Sequence, residues 1–145
     1  MHFKSRKDSV FVVISLIIIG FLLVMLYNSL FLNDPEQFRI QTVHVMLCLL
    51  IGLLIWLGLD TSYRLTPTTL FYKSGPIRGR IEITNIHEVV VGKTLWSGLK
   101  PATARHGLII KYNKYEEIYI SPKTNTAFIK TLKAYKPDLK ISYSK

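Results

Sequence analysis

The chain has 145 residues, a formal net charge of +10 and a positive mean hydropathy of +0.26. A uniform soluble globule does not combine these values, so we expect a chain that is divided into an apolar part and a basic part. Residues 60–145 contain 15 Lys and Arg against 6 Asp and Glu, a net of +9, which leaves +1 for residues 1–59. The single cysteine, Cys48, excludes an intrachain disulfide and a cysteine-based metal site.

Two long runs near the start contain no charged side chain. Residues 10–32 form the first run, which at about 1.5 Å per residue spans about 34 Å, enough for the ~30 Å hydrocarbon core of a bilayer. Residues 43–59 form the second. We predict transmembrane helices at 10–32 and 43–59, an external loop at 33–42, and a separate domain at 60–145. The alternative for the first run, a cleaved signal peptide, is disfavoured because no alanine precedes Ala102.

The distribution of basic residues predicts the orientation of this helix pair. Lys4, Arg6 and Lys7 lie in the N-terminal segment 1–9, whereas the loop at 33–42 has one arginine and two acidic residues. Because Lys and Arg favour the cytoplasmic side, we expect a multi-pass protein of the cell membrane with both termini in the cytoplasm. His44, at the outer start of the second helix, is expected to be an interfacial histidine in preference to a proton relay.

The basic part reads as short strands followed by one helix. The strand-like segments are "SYRLT", "TLFYKS", "RIEIT", "IHEVVV", "GLIIKY" and "EEIYIS". Turns are predicted at Pro67 and over "SGPIRG", where Gly75-Pro76 and Gly79 are the turn residues. Ser121 then reads as a helix N-cap and Pro122 as the first helical residue. Helical spacing places Phe128, Leu132 and Tyr135 on one apolar stripe, which should pack on the sheet. Pro137 ends the helical pattern.

Three segments of this part carry a resemblance to a known family. "YRLTPTTLFYKSGPIRGRIEITNIHEVV", "GLIIKY" and "IYISPKTNTAFIKTLKAYKPDLKI" resemble the bacterial pleckstrin-homology-like (PH-like) domain of the YyaB-like type, over about residues 63–141. The resemblance implies one or two N-terminal membrane helices before a curled barrel of about seven strands with a C-terminal helix. We therefore predict a membrane-anchored α+β fold with a mainly-β PH-like barrel, capped by that helix.

No catalytic or metal-binding constellation is found. "VVVGKTLW" lacks the first glycine of a phosphate-binding loop, because His87 stands at that position. Glu116 and Glu117 are adjacent on a strand and point to opposite faces, so they cannot share a substrate. His87 and His106 have no partner at zinc-ligand spacing. We expect no enzyme activity, no cofactor and no metal.

Two segments are candidate binding sites. "KSGPIRGR" brings Lys73, Arg78 and Arg80 around a glycine-containing turn. Beside an anionic leaflet such cations favour electrostatic docking, more than recognition of one headgroup; the alternative is a solvated basic surface. The second segment, "TLWSGLKPATARHG", has three large apolar residues in a loop: Leu95, Trp96 and Leu99. An exposed aromatic ring there would bind a partner or insert into the membrane interface; the alternative is that Trp96 plugs the barrel end.

These features favour an interaction protein. Nucleic acid is not expected as a partner, because tyrosines on strands mostly pack across the sheet and the domain is tethered to a membrane. The leading hypothesis is a binding module for a protein or peptide at the inner leaflet. The alternatives are electrostatic binding of anionic lipid and, from the resemblance alone, self-immunity against a bacteriocin. The sequence predicts no oligomeric state.

Overall fold

The computed structural model describes residues 1–31, 42–95 and 98–143. The helices and strands are β1 (His2–Lys4), α1 (Ser9–Phe31), α2 (Thr42–Leu59), β2 (Thr61–Leu65), β3 (Thr69–Ser74), β4 (Ile77–Glu82), β5 (Ile86–Val91), β6 (Leu108–Tyr112), β7 (Glu116–Ile120), α3 (Asn125–Tyr135) and β8 (Lys140–Tyr143). A 3-10 turn at Ile83–Asn85 joins β4 to β5. The loop predicted at 33–42 lies outside the described residues except for Thr42, which begins α2.

α1 and α2 pack side by side and are apolar on nearly all sides. Large side chains such as Leu16, Ile17 and Leu49 are more than half exposed, which is unfavourable in water and favourable in lipid. Both helices are long and apolar enough to cross a membrane. The imidazole Nε2 of His44 lies 2.9 Å from the hydroxyl of Ser29, so this buried histidine contributes to the contact between the helices. The chain is therefore a membrane-associated protein.

Two four-stranded sheets form the domain. The first sheet has the order β1-β2-β3-β4 and is antiparallel throughout. The second has the order β7-β6-β5-β8, in which β8 runs parallel to β5. The predicted α+β, PH-like fold is confirmed, although the two sheets are not hydrogen-bonded into one closed barrel.

The core lies between the two sheets and is completed by α3. Alternation along β6 and β7 places Leu108, Ile110, Ile118 and Ile120 inside. From α3, the predicted stripe contributes three side chains: Phe128 and Leu132 are fully buried, and Tyr135 is partly buried against them. These contacts are the main reason that the short helix forms, because an isolated helix of 11 residues is marginal in water.

The start of α3 differs from the prediction. The helix begins at Asn125, after Thr124, and not at Pro122. Ser121 caps no helix: its hydroxyl is buried, lies 2.9 Å from the hydroxyl of Ser5 and accepts the backbone N–H of Thr103 at 3.2 Å. The local capping signal is overridden because this serine has tertiary partners.

The first eight residues belong to the domain and connect its sheets. β1 pairs with β2, with Phe3 opposite Tyr63. The backbone N–H of Arg6 then donates to the carbonyl of Ser121 at 2.7 Å, and that of Lys123 donates to the carbonyl of Lys4 at 2.9 Å. The segment thus bridges β2 and the end of β7, immediately before α1 begins.

Four hydroxyl groups form a hydrogen-bonded cluster at this junction. The hydroxyl of Ser5 lies 2.9 Å from those of Thr103 and Ser121 and 3.2 Å from that of Tyr63. Burial raises the pKa of Tyr63, whose phenol donates to the carbonyl of Pro101. Because each hydroxyl has a partner, the cluster can be buried without an unsatisfied polar group.

Candidate functional site

The outer face of the first sheet is basic and open. On β2 and β3, the alternation that turns Tyr63 and Leu70 into the core turns Arg64 and Phe71 outward. The same alternation on β4 exposes two arginines. We call five of the outward residues on these three strands the basic face: Arg64, Phe71, Lys73, Arg78 and Arg80.

Pairing in the β3–β4 hairpin brings the three predicted cations together on one face. Lys73 lies directly opposite Arg78, and Arg80 lies two residues further along β4, opposite Phe71. Opposite residues in an antiparallel pair have Cβ atoms about 4.5–5.5 Å apart, and residues at i and i+2 share a face. Lys73, Arg78 and Arg80 therefore form one surface, which makes them a consistent candidate site.

Lys73 and Arg78 form the near row, which is the end of the basic face nearest to α2. The ammonium of Lys73 lies 2.7 Å from the carboxylate of Asp60, the residue that follows α2. The hydrogen bond from Lys73 is the main cause that holds the pKa of the Asp60 carboxyl below its usual value, and the indole N–H of Trp56 acts in the same direction at 3.0 Å. This ion pair ties the hairpin to the end of the helix.

The turn between β3 and β4 also contacts α2. Gly75 has φ of +55°, which favours glycine, and a Cβ there would lie 3.3 Å from the Leu57 side chain. Its backbone N–H donates to the carbonyl of Asp60 at 3.3 Å. Beside it, Ile77 keeps 42 % of its surface exposed. The hairpin turn is thus fixed at the level where α2 ends.

The far row of the basic face consists of Arg64, Phe71 and Arg80, of which only Arg80 was predicted from the sequence. Phe71 is opposite Arg64 on one side and Arg80 on the other, and 40 % of its surface is exposed. Arg64 and Phe71 were missed, because naming them requires the strand register. A signal was present in the sequence: Phe71 lies two residues before Lys73 and so shares its face.

The second predicted segment does not form an exposed site among the described residues. Leu95 is 9 % exposed and packs with Ile109 and Tyr119 on the outer face of the second sheet. Leu99 makes a parallel bridge to Ile118 and packs on the main core. Trp96 lies outside the described residues. Leu95 and Leu99 are therefore packing residues in this structure.

No metal site is evident in the described parts of the chain, 1–31, 42–95 and 98–143. Within them, no group of three or more His, Cys, Asp or Glu side chains could hold a metal ion. The acidic residues that flank the basic face are Asp60, at the end near α2, and Glu82, at the opposite end of β4. The chemistry offered by this surface is that of a cationic surface with one exposed aromatic ring.

Comparison with known proteins adds a family and one relative. The profile described as "Bacterial PH domain" matches residues 61–136. The chain is also 31 % identical over 136 residues to the "Uncharacterized protein YyaB" of Bacillus subtilis (strain 168), covering 92 % of this chain and 91 % of that protein. No solved structure gives a match.

Proposed function

Because the chain belongs to the bacterial PH domain family, we propose that it is a membrane-anchored binding module and not an enzyme. Domains of this fold generally bind other molecules without catalysis. The proposed ligand is an acidic segment of a protein or peptide at the inner leaflet. Self-immunity against a bacteriocin would be one use of such a module; it rests on the resemblance alone and is tested by whether deletion sensitises cells to one peptide.

The proposed topology places both termini in the cytoplasm, with α1 and α2 crossing the membrane. Lys4, Arg6 and Lys7 before α1 favour the cytoplasmic side. The pairing of β1 with β2 supports the same arrangement, since it holds the residues before α1 and after α2 in one sheet. Because the chain leaves this sheet into α1 and returns to it after α2, both ends of the helix pair lie on the same side of the membrane, as two crossings require.

The observation that supports a protein partner best is the far row of the basic face. An exposed phenylalanine between two arginines has the composition of residues that dominate binding energy in protein interfaces, where aromatic residues and arginine are enriched. Cations on both sides of Phe71 favour an acidic partner. Surface exposure of Phe71 has no evident benefit for the stability of the domain, which strengthens the argument for binding.

The second candidate function, docking on anionic lipid, is favoured by the near row. Lys73 and Arg78 lie beside the end of α2, and the exposed Ile77 lies on the same turn. A suitably placed Lys or Arg gains up to about 1 kcal/mol near an anionic leaflet. This attraction decays over a Debye length of about 8 Å at physiological salt, so it acts on the near row more than on the far row.

Photocrosslinking in native membranes distinguishes the two functions. With p-benzoylphenylalanine in place of Phe71, we expect one stoichiometric acidic protein or peptide, and we expect the product to be lost when Arg64→Gln and Arg80→Gln are added. The matched control is the same crosslinker in place of Tyr115, an aromatic residue that is 86 % exposed near the second sheet.

Two results would contradict the partner proposal. If Phe71 crosslinks only to lipid, the domain is a lipid-docking module. If the same protein is captured equally at Tyr115, the contact is not specific to the basic face.

A further inference from the structure

A crevice of about 340 Å³ lies where the N-terminal segment meets the end of α2. The N-terminal segment and β2 supply most of its polar lining, and the last residues of α2 supply its apolar lining. The lining includes His2, Lys4, Lys7, Gly58, Leu59 and Asp60. The crevice is therefore at the height where the helix pair gives way to the domain.

The crevice carries positive charge that the protein does not neutralise. Lys4 and Lys7 are exposed, and neither has a carboxylate within 4.0 Å among the described residues. Asp60 does not compensate them, because its carboxylate accepts from Lys73 at 2.7 Å and from the Trp56 indole at 3.0 Å. Two unpaired ammonium groups at this level favour an anionic ligand.

An apolar groove of about 180 Å³ lies between α1 and α2. Lys7, Gly58 and Leu59 line both this groove and the crevice, so the two cavities adjoin. Beyond this shared part, the groove is almost entirely apolar, with Phe11 and Leu54 among its lining residues. Gly58 leaves the passage open, since a Cβ there would have only the Phe11 ring as a neighbour, at 3.9 Å.

We propose that the crevice and the groove together bind one anionic phospholipid. Its phosphate lies between Lys4 and Lys7, and one acyl chain lies in the groove between the helices. A cationic pocket joined to an apolar groove at the end of a membrane-spanning helix pair matches an amphipathic anion better than a free phosphate or a neutral lipid. This site rests on the proposed membrane crossing. It adjoins the basic face, because Lys4 is paired with Ser62 and Ser62 with Lys73, but it includes neither Phe71 nor the arginines beside that ring, so it does not depend on the protein partner.

Native mass spectrometry of the full-length protein in mild detergent tests this site. We expect one phosphatidylglycerol to bind per chain, at least about tenfold more tightly than phosphatidylcholine with the same acyl chains. The double variant Lys4→Gln/Lys7→Gln should lower the affinity for phosphatidylglycerol about twentyfold, because each cation contributes up to about fivefold. The matched control, Lys130→Gln/Lys133→Gln, removes two exposed cations on α3 and should leave the affinity unchanged.

A second pair of variants tests the groove without changing charge. Gly58→Leu fills the passage and should lower phosphatidylglycerol binding, whereas Gly58→Ala adds one methyl group with ordinary contacts and should lower it much less. Circular dichroism confirms that each variant is folded.

Three outcomes overturn the inference. Equal binding of phosphatidylcholine removes the role of the lysines, and unchanged binding in Lys4→Gln/Lys7→Gln removes the crevice. Displacement of the lipid by millimolar inorganic phosphate as effectively as by phosphatidylglycerol removes the groove and identifies a site for free phosphate. Crosslinking of a protein at Phe71 is unaffected by all three, so this inference and the proposed partner can fail separately.

Discussion

The outer faces of the two sheets differ, although the sheets have the same number of strands. On the second sheet, Ile109 and Tyr119 point away from the main core and are nevertheless buried, because Leu95 and the loop that follows β5 cover them. On the first sheet, no described segment covers Phe71 or the arginines beside it. The outer face of the second sheet is thus covered around Ile109 and Tyr119, whereas the outer face of the first sheet is available for binding.

This difference separates residues that stabilise the domain from residues that are available for function. Burial of an apolar side chain is worth roughly 1.5–3 kcal/mol, whereas an exposed cation contributes little to the stability of a fold. Substitutions on the covered face should therefore lower the free energy of unfolding strongly, and substitutions on the open face should change it little. Substitutions on the two faces should have opposite consequences for folding and for binding.

The largest expected effect comes from the covered face. The Tyr119 hydroxyl accepts the backbone N–H of Gly107 at 2.8 Å and donates to the carbonyl of Ala104 at 2.9 Å. Tyr119→Ala removes a buried ring and both bonds, so we expect a loss of about 3–5 kcal/mol in the free energy of unfolding of the full-length protein. Phe71→Ala, the matched aromatic substitution on the open face, should change it by less than about 0.5 kcal/mol. Chemical denaturation in detergent measures both values, and equal losses would contradict the distinction between the faces.

A smaller effect is expected at the hydroxyl cluster that joins the sheets. Ser5→Ala removes one hydroxyl but leaves the others with partners, since Tyr63 still donates to Pro101 and Thr103 still donates to the carbonyl of Arg6 at 2.8 Å. We therefore expect a loss near the lower end of the usual range, about 1 kcal/mol, in the free energy of unfolding. Ser9→Ala, at the exposed start of α1, is the control and should have no measurable effect. A loss several times larger would mean that Ser5 holds the junction alone.

The second sheet also predicts a pH effect at its β8 edge. The Glu88 carboxylate accepts the Ser142 hydroxyl at 2.6 Å and the Lys111 ammonium at 2.9 Å, and Lys140 lies 3.5 Å away. The hydrogen bond from Ser142, followed by that from Lys111, lowers the pKa of Glu88 from 4.5 to about 2. A depressed pKa in the folded state means that the ionised form stabilises the fold, fully above pH 4.5 and progressively less as pH falls toward 2.

Glu88→Gln tests this dependence. The variant should lose roughly 1 kcal/mol of stability at pH 7, and the difference from the unsubstituted protein should close as pH falls from 4.5 toward 2. Glu117→Gln, an exposed glutamate on β7, is the control. A difference that stays constant down to pH 2 would show that Glu88 acts by packing and not by charge.

Most of the architecture could be predicted because its signals are local. The helix pair follows from two long uncharged runs, and the central strands follow from alternation between buried and exposed residues. β1 and β8 were missed because they are 3 and 4 residues long, too short for a periodic pattern, and their partners are distant in sequence. The pairing of Phe3 with Tyr63 is one example that no local pattern indicates.

The candidate site was predictable to the extent that one hairpin determines it. The turn is shorter than predicted, because Gly79 lies within β4 opposite Tyr72 and not in the turn. The resulting β3–β4 register brings Lys73 and Arg78 together. Arg64 joins through a second pairing, between β2 and β3, whose register the turn predicted at Pro67 does not specify. The environment of Leu95 could not be predicted from the sequence. A large apolar residue in a loop can be exposed or packed, and only the tertiary structure shows which.

The smallest expected effect compares two arginines on one strand. Arg78 lies in the row nearest to α2, and Arg80 lies two residues further, a distance of about 7 Å along β4. With a Debye length of about 8 Å, the attraction of Arg80 to an anionic leaflet is reduced to roughly two-fifths of that of Arg78. In nanodiscs that contain phosphatidylglycerol, Arg78→Gln should reduce lipid-dependent protection of residues 74–80 from hydrogen exchange about fivefold, and Arg80→Gln only about twofold. Raising the salt concentration to about 0.5 M should remove both effects, since it shortens the screening length. If Arg80→Gln has the larger effect, the far row faces the lipid and the domain is inclined toward the membrane, a geometry that would leave Phe71 buried in the leaflet and closed to a protein partner.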